Sequence, residues 1–147
     1  LVNDPKLLIL DEPTAGLDPE ERIRFRNLLV NLAEERIVLL STHIVEDIGQ
    51  TCRDMAVLSH GQVIFRGSPA ALIAAANEHV WLLTATDGVK PNHNLTVVGM
   101  LHLAEGTQYR VVGESAQGYA TAVPVQPSLE DGYVWLMKAA GQELETL

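Results

Sequence analysis

Leu7-Leu8-Ile9-Leu10-Asp11-Glu12-Pro13-Thr14-Ala15-Gly16-Leu17-Asp18-Pro19 is the stretch on which the reading of this chain turns. Four apolar residues run into two adjacent carboxylates, then a turn, then a third carboxylate at Asp18. An apolar run this short predicts a strand buried on both faces, as in a parallel sheet. Carboxylates at the carboxyl end of such a strand stand where open α/β sheets bind ligands. Successive side chains on a strand point to opposite sides, so Asp11 and Glu12 cannot do the same job. One can reach a metal and the other a water. The plainer alternative is that both merely solvate a strand end.

The longer string favours the first alternative. LLILDEPTAGLDP resembles the Walker B strand and D-loop of ATP-binding-cassette (ABC) ATPases. That resemblance implies ATP hydrolysis, which depends on positioning and charge stabilisation more than on covalent chemistry. It implies that Asp11 serves Mg²⁺ through water, in keeping with an ion held by few protein carboxylates. It gives Glu12 the position that activates the attacking water. Asp18 falls in the D-loop, which in relatives lies between two ATP-sandwiched cassettes and couples their sites. Asp18 also suits a helix N-cap, and both roles can hold.

His43 follows a second apolar run, Ile37-Val38-Leu39-Leu40, in the string Ser41-Thr42-His43. A lone histidine after a strand is usually structural. About 30 residues beyond the two acids, this one resembles the family's switch histidine. The resemblance implies an imidazole that hydrogen-bonds the γ-phosphate and steadies the water and Glu12. His60, His79, His93 and His102 have no such context and read as surface or packing residues. Leu58-Ser59-His60-Gly61-Gln62 differs by one residue from the family's LSGGQ signature. It lies after the histidine rather than before the Walker B strand, and at a hairpin rather than a phosphate-binding helix N-terminus. It reads as a chance likeness.

No G-x-x-x-x-G-K-[ST] string occurs, and no lysine follows a glycine. Without that loop nothing here cradles the β and γ phosphates. The resemblance is therefore to the C-terminal portion of an ABC transporter ATP-binding subunit, with the phosphate loop and true signature expected upstream of Leu1. The expected fold is α/β: a partial P-loop NTPase core with buried parallel strands, followed by a small α+β module. Residues 1–77 correspond to the cassette and residues 78–147 to an accessory domain. Pro127-Ser128-Leu129-Glu130-Asp131-Gly132-Tyr133 resembles the ending of ATPases that serve ABC-2-type exporters. The implied cofactors are Mg²⁺ and ATP. The implied partners are a membrane-spanning permease subunit and a second ATP-binding subunit. The implied location is the cytoplasm, peripheral on the inner face of the cell membrane. Two other readings stand beside this one: a non-catalytic dimerisation or regulatory module, and an ABC-type ATPase outside transport. The chain alone is expected to be inactive and, with apolar strand edges uncovered, prone to aggregate or dimerise.

Composition bounds these readings. The 147 residues allow one domain or two small ones. Net charge is −9, and both halves are acidic, with 7 basic and 11 acidic residues in 1–77 and 3 and 8 in 78–147. That balance argues against nucleic acid as a partner. A single cysteine, Cys52, excludes an internal disulfide and a Cys-rich metal site, and its place on an apolar stripe suits core packing. No apolar stretch approaches the ~20 residues that span a bilayer.

Outward from the opening stretch, Asn3-Asp4-Pro5 punctuates whatever precedes the strand. Asp18-Pro19-Glu20-Glu21 predicts a helix start, with the helix running to about Glu35 and burying Phe25, Leu28, Leu29 and Leu32. Strand, helix, strand implies a parallel βαβ unit. A short helix after His43 places Ile44, Ile48 and Cys52 on one side and Glu46 and Asp47 on the other. Met55–Leu58 and Gln62–Phe65 predict a hairpin turning at His60-Gly61, and Pro69–Ala76 a helix. Val80–Thr86, Leu95–Leu103, Gln108–Gly113 and Tyr119–Val125 read as short strands. Ser128–Ala140 reads as a closing helix near a capping box, with Leu129, Tyr133, Leu136 and Met137 on one face. Gly132 inside it weakens that helix by about 1 kcal/mol relative to alanine.

Overall fold

The computed structural model describes residues 4–85 and 90–141. Asn3, Thr86 and the Asp87-Gly88 turn lie outside the described residues. The chain divides into two compact units, Leu1–Arg53 and Asp54–Leu147.

In the first unit, β1 (Leu7–Asp11) and β2 (Ile37–Ser41) pair in parallel, with Leu7 opposite Ile37 and Asp11 opposite Ser41. Helix α1 (Pro19–Leu32) connects them. Asp18 caps it by accepting the Glu21 N–H at 2.8 Å, and Pro19 opens its first turn. It ends three residues before the expected Glu35. Leu8 and Leu10 of β1 line an apolar cavity of about 300 Å³ together with Phe25, Leu28, Leu29 and Leu32 of α1. The expected helix face is therefore the right one, although Leu28 remains half exposed.

The expectation that β1 and β2 are buried on both faces does not hold. Leu7, Ile9, Ile37 and Leu39 are exposed, Ile9 at 65% and Ile37 at 69%. The two strands form a sheet by themselves, and alternation sends every second side chain to the face away from α1. A continuous apolar run marks residues suited to burial on both faces; it does not supply the second layer. Helix α2 (Val45–Thr51) closes the unit.

In the second unit, β3 (Met55–Ser59) and β4 (Gln62–Gly67) form the expected antiparallel hairpin. Both turn residues have positive φ, His60 at 49° and Gly61 at 75°, as a two-residue type I′ connection requires. The signature-like string is thus a strand end and a tight turn. Helix α3 (Pro69–Ala75) is capped by Ser68. Strands β5 (Val80–Ala85), β6 (Leu95–Leu103), β7 (Gly106–Gly113) and β8 (Val123–Pro124) form an antiparallel sheet in the order β6-β7-β5-β8. The expected Tyr119–Val125 strand is reduced to two residues, because Tyr119–Ala122 turns on an Ala122 N–H to Tyr119 C=O bond at 3.1 Å.

Helix α4 (Leu129–Ala139) has a complete capping box: Ser128 and Asp131 each accept the other's backbone N–H. Its buried residues are Leu129, Asp131, Gly132, Val134 and Met137, so Tyr133 and Leu136 are only half-buried. A Cβ on Gly132 would lie 2.5 Å from the backbone oxygen of Leu72. The glycine that looked like a helix defect permits the close crossing of α3 and α4. Two core clusters serve the sheet, one around Leu83, Tyr109 and Val111 and one joining Val80 and Val112 to Ala76 and Val134.

Candidate functional site

The carboxyl ends of β1 and β2 bring the acidic pair and the histidine together. Register sets this: Asp11 lies opposite Ser41, whose hydroxyl donates to its carboxylate. One residue further on, the Glu12 N–H donates to the Ser41 carbonyl at 2.9 Å, so pairing continues past the strand. The chain then breaks away, with Glu12 at φ 46°, a left-handed value uncommon for a non-glycine residue and costly to hold.

That conformation leaves the Glu12 side chain against the β2–α2 connection. One carboxylate oxygen accepts the His43 backbone N–H at 2.9 Å and lies 2.9 Å from His43 Nδ1. The other is 3.3 Å from the Thr42 hydroxyl. Glu12 is half-buried, whereas the His43 ring is largely open to solvent.

Asp11 and Glu12 thus occupy different surroundings, as alternation requires. Asp11 is exposed and keeps lone pairs beyond the one Ser41 uses. Among the described residues no three His, Cys, Asp or Glu side chains converge as a metal cage. A single exposed carboxylate nevertheless fits Mg²⁺, which is bound through one or two carboxylates with waters and phosphates completing its shell. Asp18 lies at the N-cap of α1, after a turn in which Gly16 adopts φ 78° and the Leu17 N–H bonds the Thr14 carbonyl at 3.2 Å.

Three residues beside this site escaped the sequence reading. Asp47, assigned there to the outward side of α2, is buried at 1% exposure. It accepts the Thr14 hydroxyl at 2.6 Å and the Arg26 guanidinium at 3.3 Å. Thr14 is also buried, and Arg26 nearly so. A charged residue on an amphipathic helix normally marks the wet face, so only the two distant partners could have revealed it.

In the second unit, Arg110 and Asp131 form a bidentate pair, with Arg110 also donating to the Gln126 carbonyl at 2.7 Å. Burial pushes the Asp131 carboxyl up, but the Arg110 guanidinium and the two Ser128 donors outweigh it and hold it below the usual carboxylate range. The same bond raises Arg110. His79 stacks on Trp135 with ring centroids 3.8 Å apart, in line with its reading as a packing residue.

No protein-family model matches the chain. Curated relatives do. The Nod factor export ATP-binding protein I of Rhizobium sp. (strain N33) is 43% identical over 81 residues, 54% of this chain and 26% of that protein. The protein of the same name from Paraburkholderia xenovorans (strain LB400) is 45% identical over 76 residues, covering 51% and 25%. That from Rhizobium leguminosarum bv. viciae is 49% identical over 74 residues, covering 50% and 24%. Over about half its length, this chain is homologous to the ATP-binding subunits of ABC transporters, as its motifs imply. The particular relatives are ATP-binding proteins of an export system, and the match spans about a quarter of their length. No described helix is long and apolar enough to cross a membrane.

Proposed function

We propose that this chain is the C-terminal portion of the ATP-hydrolysing subunit of an ABC exporter. In this reading residues 1–77 belong to the cassette and residues 78–147 form an accessory domain. The observation that carries it is the meeting of Glu12 with Thr42 and His43 at the ends of two parallel strands. Glu12 is the general base for the attacking water, and such assistance contributes about 10²–10⁴ in rate. His43 holds Glu12 through its backbone N–H and offers a ring N–H to a phosphate oxygen. Asp11 holds a water of the Mg²⁺ shell. Bound Mg²⁺ supplies charge neutralisation on the phosphates. Asp18 presents the D-loop turn to a second ATP-binding subunit.

The homology supports export rather than DNA-linked ATPase chemistry, and the acidic charge of both halves agrees. The partners are a membrane-spanning permease and a second ATP-binding subunit, on the cytoplasmic face of the membrane. The chain by itself has no loop of the phosphate-cradling pattern, so alone it does not turn over ATP. Purifying the intact subunit from its own membranes tests the transport assignment. A multi-span membrane protein recovered in stoichiometric amount is the expected result; an intact subunit that carries none speaks for an ATPase outside transport.

A further inference from the structure

Two polar ties join the same pair of connections in the first unit. Glu12 binds Thr42 and His43, and two residues later Thr14 binds Asp47. On the β1 side, Glu12 and Thr14 share one turn, closed by the Ala15 N–H to Glu12 C=O bond at 3.1 Å. On the β2 side, the Asp47 N–H bonds the Ile44 carbonyl at 3.1 Å, directly after His43. The Ile44 N–H in turn bonds the Thr42 hydroxyl at 3.0 Å. Hydrogen bonds thus link Asp47 through Ile44 to Thr42, one of the residues that hold Glu12.

The chemistry of the second tie is unusual for a packing contact. A carboxylate at 1% exposure is costly unless paired and hydrogen-bonded. Here one oxygen takes the Arg26 guanidinium of α1 and the other the Thr14 hydroxyl. The Thr14 bond to this carboxylate is short, at 2.6 Å, and hydrogen bonds to an ionised acceptor are directional. They fix an angle as well as a separation, which apolar packing does not. We infer that Asp47 is a positioning residue for the Glu12–His43 pair: through Thr14 it holds the turn after β1 against α2 and sets where the Glu12 carboxylate stands. The inference rests on the reading of Glu12 and His43 as the hydrolytic pair.

The test uses the intact ATP-binding subunit with Thr14→Val, Thr14→Ser and Asp47→Asn, and with Glu12→Gln alongside. The readouts are kcat and KM for Mg-ATP, and hydrogen exchange of the His43 backbone amide, which donates to Glu12. Small misplacement at a reacting centre costs on the order of a hundredfold. Thr14→Val is expected to lower kcat by about tenfold to hundredfold, to leave KM within about twofold, and to speed His43 amide exchange. Thr14→Ser, which keeps the hydroxyl, recovers both. Should Thr14→Val not fold, Asp47→Asn takes its place. It keeps an acceptor for Thr14 but loses the charge that Arg26 meets, and kcat falls by at least about threefold. Unchanged kcat and exchange in the variant that folds, or a serine variant as impaired as the valine one, overturns the proposal. Turnover surviving Glu12→Gln overturns the reading of the site and this proposal with it. Turnover lost in Glu12→Gln but intact in Thr14→Val overturns the positioning role alone.

Discussion

Glu12 and His43, 31 residues apart in sequence, meet through two contacts of 2.9 Å, one to the histidine backbone N–H and one to Nδ1. The backbone contact survives any substitution of the ring, so it isolates what the imidazole adds. His43→Ala in the intact subunit should keep the Glu12 carboxylate in place and lower ATP turnover by about 10²-fold or more. The ring is largely solvent-exposed, so the melting temperature should hardly move. Steady-state ATPase assays with parallel thermal melts check both. Unchanged turnover would remove His43 from the site.

Gly132 sets two physical effects against each other. By helix propensity alone, Gly132→Ala should stabilise α4 by about 1 kcal/mol. The new Cβ would meet three backbone atoms of the facing helix, the nearest at 2.5 Å, and backbone yields less readily than a side chain. Overpacking of this kind costs about 1–3 kcal/mol. Equilibrium urea unfolding of the chain should therefore show net destabilisation, and a gain in stability would refute the close crossing of α3 and α4.

Asp131 ties α4 to β7 through Arg110, and its carboxyl sits below the usual range. A carboxyl depressed on folding adds stability that is complete above its unfolded value of about 3.9 and fades as the pH falls through the folded value. Asp131→Asn also leaves Arg110 without its ionised partner, at a cost of about 2–3 kcal/mol at neutral pH. The melting temperature of the variant should lie roughly 4–12 °C below that of the parent at pH 7. The gap should narrow as the pH falls below about 4. A gap that stays constant from pH 7 to pH 3 would contradict the ion pair.

How much of this was legible beforehand depends on how local the cause is. The β3–β4 hairpin, the Leu95–Leu103 strand and the Ser128 cap were readable because turn and capping chemistry involves neighbouring residues. The juxtaposition of Glu12 and His43 follows from two strand ends in parallel register, which a strand–helix–strand pattern already implies. Three features were not readable. Burial of β1 and β2 depends on a second layer that an apolar run cannot report, and Ile9 and Ile37 lie open. Asp47 looks like any solvated helix carboxylate until Thr14, 33 residues away, and Arg26 are brought to it. Gly132 looks like a weak point until Leu72 of α3 is seen against it.

In the proposed function the Glu12 carboxylate activates water for ATP hydrolysis. Glu12→Gln keeps the side chain's size and removes its basicity, so it separates binding from chemistry. The decisive measurement is single-turnover ATP hydrolysis by the intact subunit carrying this substitution, with Mg-ATP binding measured on the same preparation. Binding close to that of the parent with hydrolysis slowed by about 10²–10⁴ is the predicted result. Hydrolysis at near the parent rate would contradict it.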